Sequence, residues 1–271
     1  MLDPVIDYVV EVEMGGPAAS GELHEMLSAL AADWNKVVLV AGYDAAAGEW
    51  QPAGMAGGEY AQVRFALQMS NRSGCIEEAQ LGAFRAAVEK WAADRGASIK
   101  CLEIDLAHAM AVQLDRFCAD VDIAIGINVV TRDGTPFSAT KIRALAEAGG
   151  LKLEGDGVFY LRADSGNTIY TLDNHEPMPF MPEQMKSLTT SGVTFLFDVP
   201  CVADTLRSFE GMLAAARNFA STLGGKLVDD NRTSLSEDAI EKIRQQLTGI
   251  LAKMEAGQIP AGGARALRLF S

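Results

Sequence analysis

The densest concentration of groups able to do chemistry is Asp229-Asp230-Asn231-Arg232. Adjacent carboxylates could hold a hard cation or divide acid and base roles between them. Either use needs further ligands, and no His, third carboxylate or phosphate-cradling glycine stands near in sequence. The competing use is a strand-to-helix turn, its carboxylates capping backbone amides and pairing with Arg232, and the sequence favours it. His24, His108 and His175 are each isolated. His24 and His108 fall within helical patterns, whereas His175 follows a strand beside Glu176, where a contact role is open to it. Cys75, Cys101, Cys118 and Cys201 are widely spread, with no CxxC and no His pair, which disfavours a zinc site or a disulfide framework. They read as buried thiols of a reducing compartment. GxSxG, Walker and GxGxxG patterns are absent. No catalytic residue, metal site or cofactor is expected, and the chain reads as a non-enzyme.

The 271 residues are 49% apolar and 22% charged, enough for one large or two ordinary globular domains. A net charge of −13 repels phosphates and anionic headgroups, so no nucleic-acid partner is expected. No run of eighteen apolar residues and no signal peptide is present, so the chain as given is expected to be soluble. It starts Met1-Leu2-Asp3-Pro4 and enters a strand almost at once, as though a native N-terminal segment had been cut away.

The polar cluster closes a larger unit, Gly192 to Arg232. Val193, Phe195, Phe197 and Val199 alternate with Thr194, Leu196 and Asp198, the period-two pattern of a strand with one buried face. A helix follows with Leu206, Phe209, Met212, Leu213, Ala216, Phe219, Ala220 and Leu223 on one stripe. Gly224-Gly225 can end it, and Lys226 to Val228 reads as a return strand. The last helix opens at Ser234-Leu235-Ser236-Glu237, a capping-box pattern.

Upstream, strands are expected at Ile6 to Val12, Val37 to Ala41, Ala61 to Met69 and Ser98 to Ile104. Helices are expected at Ser20 to Ala32, Glu77 to Arg95 and Leu106 to Ala119, the last with Leu106, Met110, Leu114 and Phe117 inward. Gly57-Gly58 reads as a turn in a weakly determined stretch. The order then restarts at the strand Ile123 to Val129, and a hairpin follows around Ser165-Gly166-Asn167. Val63, Phe65 and Leu67 recur as Val193, Phe195 and Phe197 at one constant offset. Leu81, Phe84 and Val88 recur as Leu206, Phe209 and Leu213, and Lys100-Cys101 matches Lys226-Leu227. Repetition on this scale implies two tandem α+β domains, residues 1–121 and 122–257, with a tail at 258–271.

The second half resembles the C-terminal domain family of the bacterial division protein ZipA. The resemblance runs from about Ile123 to Ile250, on IGINVV (125–130), GDGVFYLR (155–162), TLDN (171–174), TTSGVTFLFDVP (189–200), the block SFEGMLAAARNFASTLGGKLVDDNR, and LSEDAIEKIR (235–244). It implies a split β-α-β antiparallel sheet with helices on one face. The open face takes the C-terminal tail peptide of the tubulin-like GTPase FtsZ in a shallow apolar groove. It implies a division-ring adaptor on the cytoplasmic face of the inner membrane, held by an N-terminal anchor absent from this chain. The residues implied as groove lining are Ala124, Gly126, Gly157, Phe159, Asp173, His175, Thr194 and Leu196, with Arg232 at the rim. Alternation supports Thr194 and Leu196 opposite the core-facing Phe195 and Phe197. Ala124, Gly126, Gly157 and His175 depart from the bulky apolar residues of the family, which leaves the groove deeper, more polar, or differently used. The first half is a degenerate repeat partner.

The tail carries Ile259-Pro260-Ala261 and Ala266-Leu267-Arg268-Leu269-Phe270, an echo of the FtsZ tail. It is expected either in the groove as a pseudo-ligand or, preferably, as a strap on the first domain. The alternative to an FtsZ-binding adaptor is a two-domain scaffold that binds another protein through its interdomain surface.

Overall fold

The computed structural model describes residues 2–32, 34–53 and 58–270, so the expected Gly57-Gly58 turn lies partly outside the described residues. The chain folds as two units, one ending at Ala119 and the other running from Asp120 to Phe270.

In chain order the first unit holds β1 (Asp7–Ala19), α1 (Ser20–Ala32), β2 (Val38–Asp44), β3 (Glu49–Pro52) and β4 (Glu59–Gln68). The two-residue pair β5 (Ser70–Asn71) and β6 (Gly74–Cys75) follows, then α2 (Glu78–Ala93), β7 (Ser98–Cys101) and α3 (Ile104–Val121). The sheet is antiparallel in the order β3-β2-β4-β1-β7. Tyr8, Val10 and Val12 alternate inward along β1 and meet Leu67, Phe65 and Val63. Leu81, Phe84, Val88 and Trp91 of α2 close that core, and α2 starts at Glu77, whose amide donates to Gln80 Oε1. β1 runs on through Gly15-Gly16-Pro17, well past the expected end at Val12, with a register shift between Glu13 and Ala18.

The second unit holds β8 (Ala124–Thr131), β9 (Phe137–Ser138), α4 (Ala139–Ala148), β10 (Lys152–Leu153), β11 (Phe159–Arg162), β12 (Thr168–Asn174), β13 (Thr189–Thr190) and β14 (Gly192–Asp198). A 3-10 turn (Val199–Cys201), α5 (Thr205–Leu223), β15 (Gly225–Val228), α6 (Glu237–Ala256) and α7 (Ala264–Phe270) complete it. Its sheet is antiparallel, in the order β10-β11-β12-β14-β8-β15. Phe195 meets Phe219 edge-on at 5.2 Å and Phe197 meets Phe209 at 6.4 Å, locking α5 onto β14. α6 packs on α5 and is capped by Ser236, whose hydroxyl accepts from Ala239 N at 3.2 Å. The cap is Ser236, two residues beyond the expected Ser234.

The fold is α+β, and both units share a kernel. The strands β4 and β7, joined by α2, flank β1; the strands β14 and β15, joined by α5, flank β8. Beyond the kernel the units differ in space while matching in chain order. The first strand of the hairpin (β2) pairs with β4, whereas the second strand (β12) pairs with β14. The pairings also shift one expected match. Ile99 faces Val12 and Leu227 faces Val129, so Lys100 occupies the sheet position of Val228 rather than Lys226.

Two helices depart from the expected faces, α3 by rotation and α5 at its first turn. Leu106 and Met110 are exposed, and the inward side of α3 is Ala107, Ala111, Leu114 and Cys118. In α5, Leu206 is exposed and Thr205 is buried in its place. The largest apolar side chains therefore do not by themselves set the phase of a helix. The tail docks in neither expected place. Ile259, Ala266, Leu269 and Phe270 are buried within the second unit, α7 packs on the 3-10 turn, and Gly262 N donates to Pro200 O. Among the described residues no helix is long and apolar enough to cross a membrane.

Candidate functional site

Side-chain parity sets the two faces of the second sheet. Ile127, Val129, Phe195, Phe197 and Leu172 are buried beneath the helices. The other face then carries Ala124, Gly126, Asn128 and Val130 of β8, Thr194 and Leu196 of β14, and Thr171 and Asp173 of β12. Leu196 lies opposite Gly126 on one side and Thr171 on the other, and Thr194 opposite Asn128 and Asp173. Leu196 is 44% exposed, an isolated large apolar side chain among small neighbours.

Seven of the nine expected lining residues therefore gather on or beside this face: Ala124, Gly126, Asp173, His175, Thr194, Leu196 and Arg232. Gly157 and Phe159 do not. Phe159 is fully buried, faces Leu172 across the sheet, and packs at 5.6 Å on Phe180 from the crossing between β12 and β13, which carries Pro177 and Pro179. Gly157 adopts φ +82°, and a Cβ there would lie 2.5 Å from Pro179 Cβ. Both serve the core side. Asn174 holds that crossing in place: Nδ2 donates to Met178 O at 2.6 Å, and Oδ1 accepts from Thr190 Oγ1 at 2.6 Å.

A polar chain crosses the face. Asp230 Oδ1 accepts from Asn128 Nδ2 at 3.0 Å, Asn128 Oδ1 accepts from Thr194 Oγ1 at 2.6 Å, and Thr194 Oγ1 lies 3.2 Å from His175 Nδ1. A carboxylate can only accept, which fixes the Asn128 amide with its nitrogen toward Asp230. Its oxygen then takes the Thr194 proton, and Thr194 must accept from a protonated Nδ1 of His175. One charge thus orients three further side chains. The Asp229–Arg232 stretch is a turn. Asp229 Oδ1 accepts from Asn231 N at 2.9 Å and Thr233 N at 2.7 Å, and Arg232 takes φ 62°. The expected pairing with Arg232 does not occur; Asp230 reaches Asn128 instead. Among the described residues no group of three metal-ligating side chains gathers there or elsewhere.

Burial raises the pKa of Asp173, with the Asp156 charge adding to it and the Asn174 N–H opposing. Glu176 is held below the usual carboxylate range by the Ser191 backbone N–H, its hydroxyl, and His175. His24 is exposed, and His108 Nδ1 stands 4.0 Å from Glu78 Oε2. Neither belongs to the face. Asn128 and Lys226 are residues of this face that sequence reasoning missed, and Asp230 was expected to pair with Arg232 rather than to reach Asn128. Both missed residues were readable from parity: Asn128 continues the alternation Ala124–Gly126, and Lys226 faces Val130.

Residues 123–246 match the family model described as ZipA, C-terminal FtsZ-binding domain. The cell division protein ZipA of Marinobacter nauticus is 36% identical over 126 residues, covering 45% of this chain and 37% of that protein. ZipA of Ectopseudomonas mendocina is 28% identical over 141 residues, 51% of this chain and 52% of that one. ZipA of Vibrio cholerae is 28% identical over 127 residues, 45% and 44% of the two. The chain spans about half, or less, of the length of these curated relatives.

Proposed function

We propose that the second unit, which matches the ZipA C-terminal, FtsZ-binding domain model over residues 123–246, docks the C-terminal tail of FtsZ on its open sheet face. On this reading the protein is a non-enzymatic adaptor of the bacterial division ring that works at the cytoplasmic face of the inner membrane. The observation that carries the reading is Leu196, exposed at the centre of a strip made shallow by Ala124, Gly126 and Thr171 and bounded by polar side chains. An amphipathic segment laid across that strip buries Leu196 and keeps its own polar groups at the rim. The first unit, a partner repeat of degenerate sequence, supplies a second scaffold around the same kernel.

The test is a titration with the C-terminal peptide of the same organism's FtsZ. A Kd between about 1 μM and 1 mM is expected, the range of roughly 4 to 8 kcal/mol. Leu196→Asp should abolish it and Arg232→Ala weaken it. No binding up to about 1 mM, with both variants inert, overturns the proposal.

One observation favours a second reading, a two-domain scaffold for another protein partner. Leu102, Leu106 and Met110 are 48%, 56% and 40% exposed along one side of the start of α3 in the first unit. Leu106→Glu with Met110→Glu should leave FtsZ-peptide affinity unchanged. Loss of a cellular partner in that variant, with peptide affinity intact, would favour the scaffold.

A further inference from the structure

Beside the open face lies a cavity of about 220 Å³ with an apolar floor of Val130 and Val228 and walls that include His175, Ser191, Lys226 and Arg232. Lys226 and Arg232 bring two of the chain's 23 Lys and Arg residues to this one concavity. Arg64, Arg85, Arg143, Arg162, Arg217 and Arg244 each hold a carboxylate. Among the described residues, Lys226 and Arg232 hold none. The neighbouring acids are occupied by neutral donors. Asp229 takes the amides of Asn231 and Thr233, Asp230 takes Asn128, and Glu176 takes the amide of Ser191. Two cations therefore border one concavity without an ion pair among the described residues, although the charges of Asp229, Asp230 and Glu176 stand nearby.

The surrounding geometry keeps them there. The Asp229 turn places Arg232 in the left-handed region, which a side-chain-bearing residue adopts only when its surroundings impose it. Lys226 is fixed by the ladder opposite Val130. His175 has its Nδ1–H committed to Thr194 and presents the Nε2 edge of a neutral ring to the cavity, so the donors for an anion are Lys226 and Arg232. At the opposite end of the strip, Ala124 pairs with Asp198. Lys226 and Arg232 thus stand at one end of β8 only, and Asp198 at the other.

We infer that the cavity between His175, Lys226 and Arg232 is a carboxylate subsite that takes an acidic side chain of the docked peptide and so sets the direction in which the peptide lies. The inference rests on the peptide-docking reading for its biological ligand, but the cavity can be probed alone. Its partner is defined by chemistry: an Asp or Glu side chain flanking an apolar segment. Exposed cations give modest affinity and strong salt dependence.

The experiment has two arms. In the first, N-acetylaspartate amide and its neutral asparagine counterpart are titrated into the full chain, following backbone amide resonances of Ser191, Lys226 and Arg232. The acid should give saturable shifts that vanish in K226E/R232E, and the neutral analogue none. In the second, each acidic residue of the FtsZ peptide is replaced by its amide in turn. One replacement should weaken binding about three- to tenfold, and that loss should disappear in K226E/R232E. Equal response to acid and amide in the first arm overturns the subsite, even if the peptide binds. Saturable acid-specific shifts with no peptide binding would keep the subsite and remove the FtsZ-docking reading.

Discussion

Asp230 stands where a side chain at position 126 would have to go: a Cβ built on Gly126 would lie 2.7 Å from Asp230 Oδ1. The missing side chain of Gly126 is thus the condition for the Asp230–Asn128 bond and, through it, for the ordering of Thr194 and His175. Gly126→Ala should displace the Asp229–Arg232 turn and cost about 1 to 2 kcal/mol, since Asn128 loses a charged acceptor. Thermal unfolding of Gly126→Ala, Asp230→Ala and the double variant checks this. Non-additivity of at least about 0.5 kcal/mol is expected, and strict additivity would mean the contact is immaterial.

Much of the kernel was legible because the alternation of Val193, Phe195 and Phe197 has only one face that can be buried. The same parity identified Thr194 and Leu196. The exchange of hairpin strands was not legible, because β2-β3-β4 and β11-β12-β14 read identically along the chain. Which hairpin strand joins the central one is settled by long-range pairing. The phase of α3 was not legible either: Leu106 and Met110 carry the stronger apolar signal, yet the buried positions are Ala107, Ala111, Leu114 and Cys118. Phe159 was assigned by resemblance, and its pairing with the buried Leu172 places it on the opposite face.

Thr194→Val removes one hydroxyl and leaves both neighbours unsatisfied. Asn128 Oδ1 loses its donor and His175 Nδ1 its acceptor. A loss of about 1 to 3 kcal/mol is expected for a half-buried site. The specific readout is the His175 ring: nitrogen chemical shifts of the neutral imidazole should report the Nδ1–H tautomer in the parent and a mixture in the variant. An Nε2–H tautomer in the parent would refute the proton assignment.

Phe159 and Gly157 separate folding from recognition. Phe159→Ala should cost about 3 to 5 kcal/mol by opening a cavity against Phe180. Phe159→Leu should be milder and leave FtsZ-peptide affinity within about twofold, because the ring does not reach the open face. Gly157→Ala forces a β-carbon against Pro179 at a positive φ and should destabilise by more than about 1 kcal/mol. A large affinity loss in folded Phe159→Leu would return that residue to the groove.

Asp173 gives the pH prediction. Burial raises its pKa above the ordinary 3.8, with the Asp156 charge as a lesser cause. A raised carboxyl pKa stabilises the fold fully below about pH 3.8, and that contribution is lost as pH rises through the elevated value. At neutral pH the ionised Asp173 is therefore a net burden, set against the hydrogen bond it accepts from Asn174 N at 2.7 Å. Asparagine keeps an oxygen for that bond and drops the charge. Asp173→Asn should be more stable than the parent at pH 7, by less than about 1 kcal/mol, and the advantage should shrink to nothing as the parent protonates. Glu176 has the opposite sign: its lowered pKa gives stability above the ordinary 4.5 that is lost as pH falls through the lowered value. Urea unfolding of parent, Asp173→Asn and Glu176→Gln between about pH 3 and 8 distinguishes the two carboxyls. A constant gap between parent and Asp173→Asn across that range would show that burial does not govern the Asp173 proton.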